Sequence, residues 1–324
     1  MDTLGNVLTD LRYGGISSPT LFLLAAAAIV VITIDYFWKQ YACRKIDEEI
    51  ADNREVKAEA ATNDEQKLSR HWTDEDLFKQ PPPNEECPIC MLTHPLDNLQ
   101  QQYQECCGKV ICKGCVCADE AANSRTICSF CRSPASTSRE DLLKRTKKRA
   151  EGDDAVAMRN LGCYYYDGRY GLKQNYNKAL KLFLRAGELG YAASYFNIAQ
   201  AYLNGEGVER DMKKAKHYYE LAAMGGDAKA RHNLGFFEEI EGNTSIAMKH
   251  YMIAAAAGYD NSLTNIRKGY MNGQATKDDF EKALRTHKEA KDEMKSDQRD
   301  AAADFLRRLD YPSPEYNHHQ NRGP

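Results

Sequence analysis

The sequence predicts a mainly α protein, in which a small cysteine-rich domain precedes an α-α solenoid of helical-pair repeats and one hydrophobic helix stands near the N-terminus. Three observations predict this architecture. Nine of the eleven cysteines lie between Cys87 and Cys131, four similar segments follow residue 150, and residues 21–34 form an unbroken apolar run. The chain has 324 residues and a formal net charge of -3, so it is long enough for about two domains and lacks the basic excess that predicts a nucleic-acid partner.

These features divide the chain into eight consecutive parts. The boundaries follow changes in composition, the three consecutive prolines that end the linker, and the period of the repeats. The parts are an N-terminal tail at 1–20, a candidate transmembrane anchor at 21–38, a charged linker at 39–83, the cysteine-rich domain at 84–136, a connecting helix at 137–152, the repeats at 153–294, a capping helix at 295–310 and a disordered tail at 311–324.

The apolar run near the N-terminus is close to the length that crosses a bilayer. Residues 21–34 contain no charged side chain, and the aromatic residues 36–38 extend the run as an interfacial belt. A cleaved signal peptide is less favoured, because Asp2 and Asp10 precede the run and no A-x-A motif follows it. A buried helix of a soluble domain is the other alternative. We expect a single-pass membrane anchor at 21–38, and the basic residues after it favour the cytosolic side for the C-terminal domains.

The cysteines of the cysteine-rich domain fall into four pairs, and their spacing is the one that metal ions prefer. Three pairs are C-x-x-C steps, in which a tight turn directs both sulfurs at one ion. Eight thiolates make two tetrahedral four-sulfur sites, a ligand set that suits zinc, and free thiols indicate a reducing compartment. The pairs are Cys87 and Cys90, Cys106 and Cys107, Cys112 and Cys115, and Cys128 and Cys131.

Spacing alone leaves the ligand assignment open. The four pairs can bind two ions either in sequence or interleaved. Cys117 and His94 lie close to the pairs and are alternative ligands, although a spare thiol and a solvent-exposed histidine are the simpler interpretations. Because the segment has few large apolar residues, we expect metal binding to supply much of its folding free energy.

The cysteine-rich domain resembles a RING finger of the all-cysteine variety. The stretch from Cys107 to Cys112 is similar to the family's C-G-H-x-x-C sequence, with Lys109 in place of the usual histidine ligand and Cys106 as its replacement. The resemblance implies two zinc ions and interleaved ligands, with Cys87, Cys90, Cys112 and Cys115 on one ion and Cys106, Cys107, Cys128 and Cys131 on the other.

RING domains of ubiquitin ligases carry no nucleophile. They bind a ubiquitin-conjugating enzyme and hold its thioester-linked ubiquitin in a reactive pose. The resemblance implies that Ile89 and Pro134 contact the conjugating enzyme and that Arg132, directly after the last ligand, hydrogen-bonds both ubiquitin and its carrier. Ser129 stands where the family has a proline, and no tryptophan occupies the loop before Cys128. These departures favour the alternative, a non-catalytic zinc-stabilised interaction scaffold.

The four segments after residue 150 share a template of two helices joined by a glycine turn. In the second segment we expect a first helix at 192–204, a turn with positive φ at Gly205 and Gly207, and a second helix capped by Asp211. Two recurring positions mark the repeats, namely Asn160, Asn197, Asn233 and Asn265, and Ala179, Ala215, Ala247 and Ala283.

The template resembles the Sel-1-like repeat, a relative of the tetratricopeptide repeat. The second segment is the most similar, the first and fourth are moderately similar, and the third is degenerate. The resemblance implies a solenoid that is stable through stacking and that binds other proteins. The leading hypothesis is therefore a membrane-anchored ubiquitin-protein ligase whose repeats recruit a substrate or adaptor. A conventional hydrolase or transferase is not favoured, because the sequence contains no phosphate loop or nucleophile elbow in a credible context.

Overall fold

A computed structural model describes residues 72–123 and 127–308. The predicted N-terminal tail, the anchor at 21–38, most of the linker at 39–83 and the tail at 311–324 lie outside these ranges. None of the helices within the described ranges has both the length and the apolar character needed to cross a bilayer. The anchor therefore stays a prediction from the sequence.

Helices dominate the described residues, which confirms the mainly α class, and one antiparallel hairpin lies in the cysteine-rich domain. Its strands are β1, Gln101–Gln104, and β2, Lys109–Cys112. In chain order the helices of the described residues are α1 Asp74–Phe78, α2 Lys113–Asn123, α3 Arg139–Glu151, α4 Ala155–Asp167, α5 Tyr176–Glu188, α6 Ala193–Asn204, α7 Met212–Met224, α8 Ala228–Ile240, α9 Thr244–Ala256, α10 Asp260–Met271, α11 Lys277–Glu293 and α12 Asp297–Arg308.

Helices α4 to α11 form four consecutive pairs, and each helix packs against the next. Small residues set the spacing between them. A Cβ at Gly162 would lie 2.6 Å from the ring of Phe183, so α4 and α5 approach each other closely because this position has no side chain. Gly235 and Tyr251 make the same contact between α8 and α9. The four recurring alanines are all completely buried, at Ala179, Ala215, Ala247 and Ala283.

The turn inside the second pair has the geometry that the sequence predicted. Gly205 and Gly207 both have φ of 75°, in the left-handed region where glycine carries no steric penalty. The carboxylate of Asp211 accepts two backbone N–H groups in the first turn of α7 and so caps that helix. The turn therefore returns the chain sharply and starts the next helix at a defined residue.

One polar cluster attaches the cysteine-rich domain to the first repeat. The carboxylate of Asp154 caps α4, and it also accepts hydrogen bonds from the hydroxyl of Tyr103 and from Nε of Arg149, both at 2.8 Å. Burial opposes the charge of Asp154, but these donors hold the pKa of its carboxyl below the usual value. Gly108, at φ 73°, lies so close to Arg149 that any side chain there would collide with the guanidinium.

Two segments pack in places that the sequence did not indicate. The helix expected at 295–310 as a cap of the repeats is α12, and it packs mainly against α2 of the cysteine-rich domain. Gly114 of α2 permits this contact, because a Cβ there would lie 2.8 Å from the backbone nitrogen of Arg299. The last residues of the predicted linker contain α1, which packs against α7.

Candidate metal centre

Two turns of the cysteine-rich domain share one backbone geometry, and each presents a C-x-x-C pair. In each turn the residue after the second cysteine donates its N–H to the carbonyl of the first cysteine, Met91 to Cys87 at 2.9 Å and Arg132 to Cys128 at 3.1 Å. Met91 and Arg132 both have positive φ, at 58° and 60°. Few residues other than glycine adopt this conformation, so the repeated strain indicates two turns built for the same task.

The structure brings the eight predicted ligands together in two groups of four. Within each group the sulfur atoms all lie within 4.8 Å of one another. The grouping is the interleaved one that the RING resemblance implies, and the hairpin β1–β2 produces it because the second and third pairs lie at its opposite ends. The first site consists of Cys87, Cys90, Cys112 and Cys115, and the second site consists of Cys106, Cys107, Cys128 and Cys131.

The distances between sulfur atoms fit a tetrahedral ion. Four sulfurs at about 2.3 Å from zinc lie about 3.8 Å from one another. The structure gives 3.7 Å for Cys90 to Cys112, 3.9 Å for Cys107 to Cys128 and 3.4 Å for Cys106 to Cys131. All of these cysteines are free thiols rather than disulfides. Both groups can therefore hold a metal ion, and their all-sulfur donor set suits zinc.

The first site is largely buried, and hydrogen-bond donors stabilise the thiolate of one ligand, Cys87, whereas burial raises the pKa of Cys112 and of Cys115. Cys87 and Cys112 are completely buried. Burial raises the pKa of the Cys87 thiol, but the backbone N–H groups of Cys112, Cys90 and Ile89 outweigh this effect and bring the pKa down to about 7. Arg299 adds a cationic donor, with Nη2 at 3.3 Å from the sulfur of Cys90. Such donors around the ligands favour the deprotonated sulfurs that a metal requires.

The second site lies nearer the surface. Cys131 is exposed, whereas Cys128 is buried and its sulfur accepts the N–H of Phe130 at 3.4 Å. Arg149 reaches the carbonyl of Cys106 at 3.5 Å and connects this site to the polar cluster at the first repeat. The two sites therefore have the same type of ligand, four cysteine sulfurs, but the first site is more buried than the second.

The two alternative ligands lie outside both groups. Cys117 is half-buried on α2, two residues and therefore about half a turn beyond the first-site ligand Cys115. His94 is buried rather than exposed, and burial together with the charge of Arg299 lowers its pKa. A neutral packing residue is therefore the role that the structure gives to His94.

The residues that the RING resemblance assigns to partner binding lie at the surface beside the sites. Ile89 is 41% exposed, and the side chain of Arg132 is 55% exposed with Nη1 at 2.8 Å from Asp119 on α2. Pro134 is exposed, and its carbonyl accepts a hydrogen bond from Arg145 at 2.7 Å. Exposure leaves all three predicted contact residues accessible to a partner protein.

The sequence reasoning missed two further apolar side chains at this surface. Met91 is 66% exposed and Phe130 is 42% exposed. Phe130 occupies the same position in the second turn as Ile89 does in the first, which is the signal in the sequence that identifies it. Exposed apolar side chains on two matching turns are typical of a protein-binding surface.

The Sel1 repeat family model matches residues 155–191, 192–227 and 228–259. These are the pairs α4–α5, α6–α7 and α8–α9, so this part of the chain consists of Sel1 repeats, as predicted. The third pair, expected to be degenerate, lies within the match, whereas the fourth pair, α10–α11, and the cysteine-rich domain lie outside it. The repeats indicate a protein-interaction scaffold.

Two curated proteins are similar to parts of the chain. The ERAD-associated E3 ubiquitin-protein ligase component HRD3B of Arabidopsis thaliana is 36% identical over 87 residues, which are 26% of this chain and 13% of that protein. Chitin synthase regulatory factor 4 of Schizosaccharomyces pombe is 30% identical over 125 residues, which are 38% of this chain and 20% of that protein. The chain thus spans no more than a fifth of the length of either relative.

Two solved structures are similar to the chain over about half its length. A Sel1 repeat protein from Oxalobacter formigenes has 30% sequence identity and a TM-score of 0.42, covering 48% of this chain and 64% of that one. A protective antigen of uropathogenic Escherichia coli strains has 29% identity and a TM-score of 0.40, covering 47% of this chain and 33% of that one.

Proposed function

We propose that the chain is a RING-type ubiquitin-protein ligase that positions a ubiquitin-conjugating enzyme while its Sel1 repeats bind a substrate or adaptor. The proposal is carried by the interleaved pair of four-cysteine groups with exposed Ile89 and Arg132 beside them. Two turns held at a fixed separation by the two metal sites make a rigid platform for a partner protein. The polar cluster around Asp154 attaches this platform to the first repeat.

The chain's own residues then act by binding and orientation. Zinc, when bound in both groups, supplies the cross-links that fix the two turns. Ile89 offers an apolar contact to the conjugating enzyme, and the guanidinium of Arg132 has five donors in a planar fork that suits simultaneous bonds to two carbonyl groups. Holding the thioester-linked ubiquitin in one pose removes part of the entropic barrier to attack by a substrate amine.

The ion pair between Arg132 and Asp119 does not prevent this role. Arg132 is more than half exposed, and surface ion pairs contribute only about 0–1 kcal/mol. The guanidinium therefore leaves Asp119 at little cost when a stronger set of acceptors arrives. In the free chain, Asp119 keeps the side chain close to the second metal site.

We expect Arg132→Ala in the full-length chain to lower autoubiquitination by at least about 10- to 100-fold, because the loss of even one charge-assisted hydrogen bond costs roughly 1.5–3 kcal/mol. The measurement is a reconstituted assay with ubiquitin, activating enzyme and a panel of conjugating enzymes. Asp119→Asn is the matched control, since it releases Arg132 without removing it and should retain activity. Zinc content must remain unchanged in both variants. An active wild-type chain whose Arg132→Ala variant is equally active contradicts the assigned role.

A non-catalytic scaffold is the second candidate, and Ser129 at the usual proline position favours it. The Arabidopsis relative is named as a component of a ligase, and that name is compatible with either candidate for the repeats. A wild-type chain with both zinc ions bound and no activity with any conjugating enzyme would establish the scaffold.

We further propose that residues 21–38 attach the chain to a membrane, with the C-terminal domains in the cytosol. The support is the apolar run in the sequence and the free thiols of the metal sites. In fractionated cells, the full-length chain should remain in the pellet after alkaline carbonate extraction, and deletion of 21–38 should release it. Release of the full-length chain by carbonate contradicts the anchor.

A further inference from the structure

The last residues of the predicted linker lie against the repeats. We call residues 72–82 the tethered segment and call the surface beneath it the α7–α9 face. Trp72, Leu77 and Phe78 are partly buried, whereas residues 73–76 between them are exposed. The segment therefore directs its apolar side chains at the repeats and its acidic side chains at solvent, as a bound peptide does.

A buried arginine connects the α7–α9 face to the backbone of the segment. Arg231 is only 1% exposed, and its guanidinium donates to the carbonyl of Leu77 and, at 2.8 Å, to the carbonyl of Ala223. Burial lowers the pKa of Arg231 to about 10, which reflects the cost of desolvating a cation that donates to two neutral carbonyls. A peptide backbone laid over this guanidinium supplies one of its two acceptors.

Phe78 occupies the centre of the contact. Its ring centroid lies 4.8 Å from that of His250, and Nζ of Lys249 lies 5.2 Å from the same ring centroid. Burial and the charge of Arg231 lower the pKa of His250 to about 4, so this imidazole is neutral at pH 7 and packs as an aromatic ring. A neutral ring and an ammonium group around one phenyl ring favour an aromatic side chain at this position.

Contacts at both ends fix the direction of the segment. Trp72 stacks on His217 of α7 with ring centroids 6.4 Å apart. Beyond Phe78, the prolines pass over the turn between α7 and α8, where Pro82 lies 3.7 Å from the position of a Cβ at Gly226. The segment thus follows the repeats over its whole length rather than touching them at one point.

The segment is organised for binding by its own short helix. The side chain of Thr73 accepts the N–H of Asp76, and the carboxylate of Asp76 accepts the N–H of Thr73, which together form a capping box. This arrangement reduces the conformational entropy lost on docking. The sequence pattern is a capping threonine, three acidic residues, and adjacent leucine and phenylalanine.

The α7–α9 face is longer than the tethered segment that lies on it. A cavity of about 670 Å³ begins at Asp74, Glu75 and Phe78 and continues along α9 and α10 past Met252 and Ile266. The segment forms one end wall of this cavity, and the open space beyond it accommodates a longer ligand. Lys249 lies at the junction and provides a positive charge for an acidic ligand.

We propose that the α7–α9 face is a binding site for acidic peptide segments of partner proteins that carry an adjacent leucine and phenylalanine, and that the tethered segment occupies this site in cis as a competitor. The inference rests on the proposed binding role of the repeats and does not depend on ligase activity. A partner displaces residues 72–82. One of its backbone carbonyls then accepts the hydrogen bond from Arg231, and its aromatic ring packs against His250 and Lys249.

The test uses the full-length chain and a fluorescent synthetic peptide with the sequence of residues 72–82, measured by fluorescence anisotropy. In the chain, Trp72→Ala combined with Phe78→Ala weakens the contact between the tethered segment and the α7–α9 face. We call this double variant the opened variant. We expect this opened variant to bind the peptide at least about tenfold more tightly than the wild-type chain, because the wild-type site is available only when the segment dissociates. A peptide with Leu77→Ala and Phe78→Ala is the matched control and should not bind.

Charge variants locate the binding site. Lys249→Glu in the opened chain should reduce peptide affinity by about tenfold or more, while Lys268→Glu, an equally exposed lysine on α10, should leave it unchanged. Equal weakening by both lysine variants indicates non-specific charge attraction and overturns the site.

Thermal unfolding separates a competitor from a permanent part of the fold. If the opened variant is less stable, the peptide added in excess should restore its melting temperature, because binding to the native state stabilises it. An opened variant that neither binds the peptide nor is stabilised by it overturns the proposal. Peptide binding that persists in Arg132→Ala shows that this site is separate from the ligase surface. A negative result for the peptide site therefore does not contradict the proposed ligase function, and the reverse also holds.

Discussion

Replacement of Cys112 by serine is expected to remove the first metal site and to unfold the cysteine-rich domain. Cys112 is completely buried, and it belongs to the core of this domain together with Ile111 and Val116. Structural zinc in small domains contributes about 10–16 kcal/mol, which equals or exceeds the whole stability of a typical domain. Serine retains the shape of the side chain but loses the thiolate, so the effect reports the ligand rather than the packing.

Native mass spectrometry of the full-length chain measures the result. The wild-type chain should carry two zinc ions and the Cys112→Ser variant at most one, with loss of protection from proteolysis across residues 87–131. Cys117→Ser is the matched control, because Cys117 lies on the same helix as Cys115 but outside both groups. Two zinc ions in the Cys112→Ser variant, or fewer than two in Cys117→Ser, would show that the ligands are assigned incorrectly.

Replacement of Arg299 by alanine is expected to destabilise the first metal site from a helix more than two hundred residues away. Arg299 is only 4% exposed and donates to the carbonyls of Thr93 at 2.6 Å, Leu92 at 3.1 Å and Met294 at 2.7 Å, as well as to the sulfur of Cys90. Its removal takes a donor from each of these partly buried acceptors and leaves a void where the side chain lay, although the carbonyl of Leu92 still accepts the N–H of Cys87. A buried acceptor that loses its donor costs about 1–3 kcal/mol.

Two measurements follow this loss. The melting temperature of the variant should fall by several degrees, and a chromogenic chelator should extract the first zinc at least about tenfold faster than from the wild-type chain, since each 1.4 kcal/mol corresponds to a factor of ten. Arg299→Lys retains a single cationic donor and should be intermediate. Arg308→Ala, at an exposed position of the same helix, is the control. Identical release rates for Arg299→Ala and Arg308→Ala would refute the positioning role.

The features that the sequence predicted are those that local spacing determines. The C-x-x-C steps require a tight turn, so the turns at Cys87 and Cys128 follow from two intervening residues. The buried alanines of the repeats, such as Ala179 and Ala215, follow from a period longer than thirty residues, which only stacked helical pairs satisfy. The interleaved assignment of the ligands was predicted only from the resemblance to RING fingers, because the spacing of the cysteines permits both the sequential and the interleaved arrangement.

The features that the sequence did not indicate depend on contacts between distant residues. Arg299 stands among other charged residues in a segment that is typical of a solvated helix, and nothing near it identifies Cys90 as its partner. Residues 73–76 contain three consecutive acids, which is typical of a solvated linker. In both cases the partner surface is formed by tertiary folding: α2 belongs to the folded cysteine-rich domain, and the α7–α9 face exists only after the repeats have folded.

The packing of α12 on α2 has a consequence for synthesis of the protein. Arg299 contacts Cys90, and 209 residues separate them, so at about 5–20 residues per second the ribosome completes α12 roughly 10–40 s after the first metal-binding turn. During this interval α2 lacks its covering helix, and the carbonyls of Leu92 and Thr93 lack their hydrogen bonds from Arg299. A nascent chain in this state offers a target to chaperones and proteases, and a stop codon shortly before α12 yields a metal domain that never acquires its final cover.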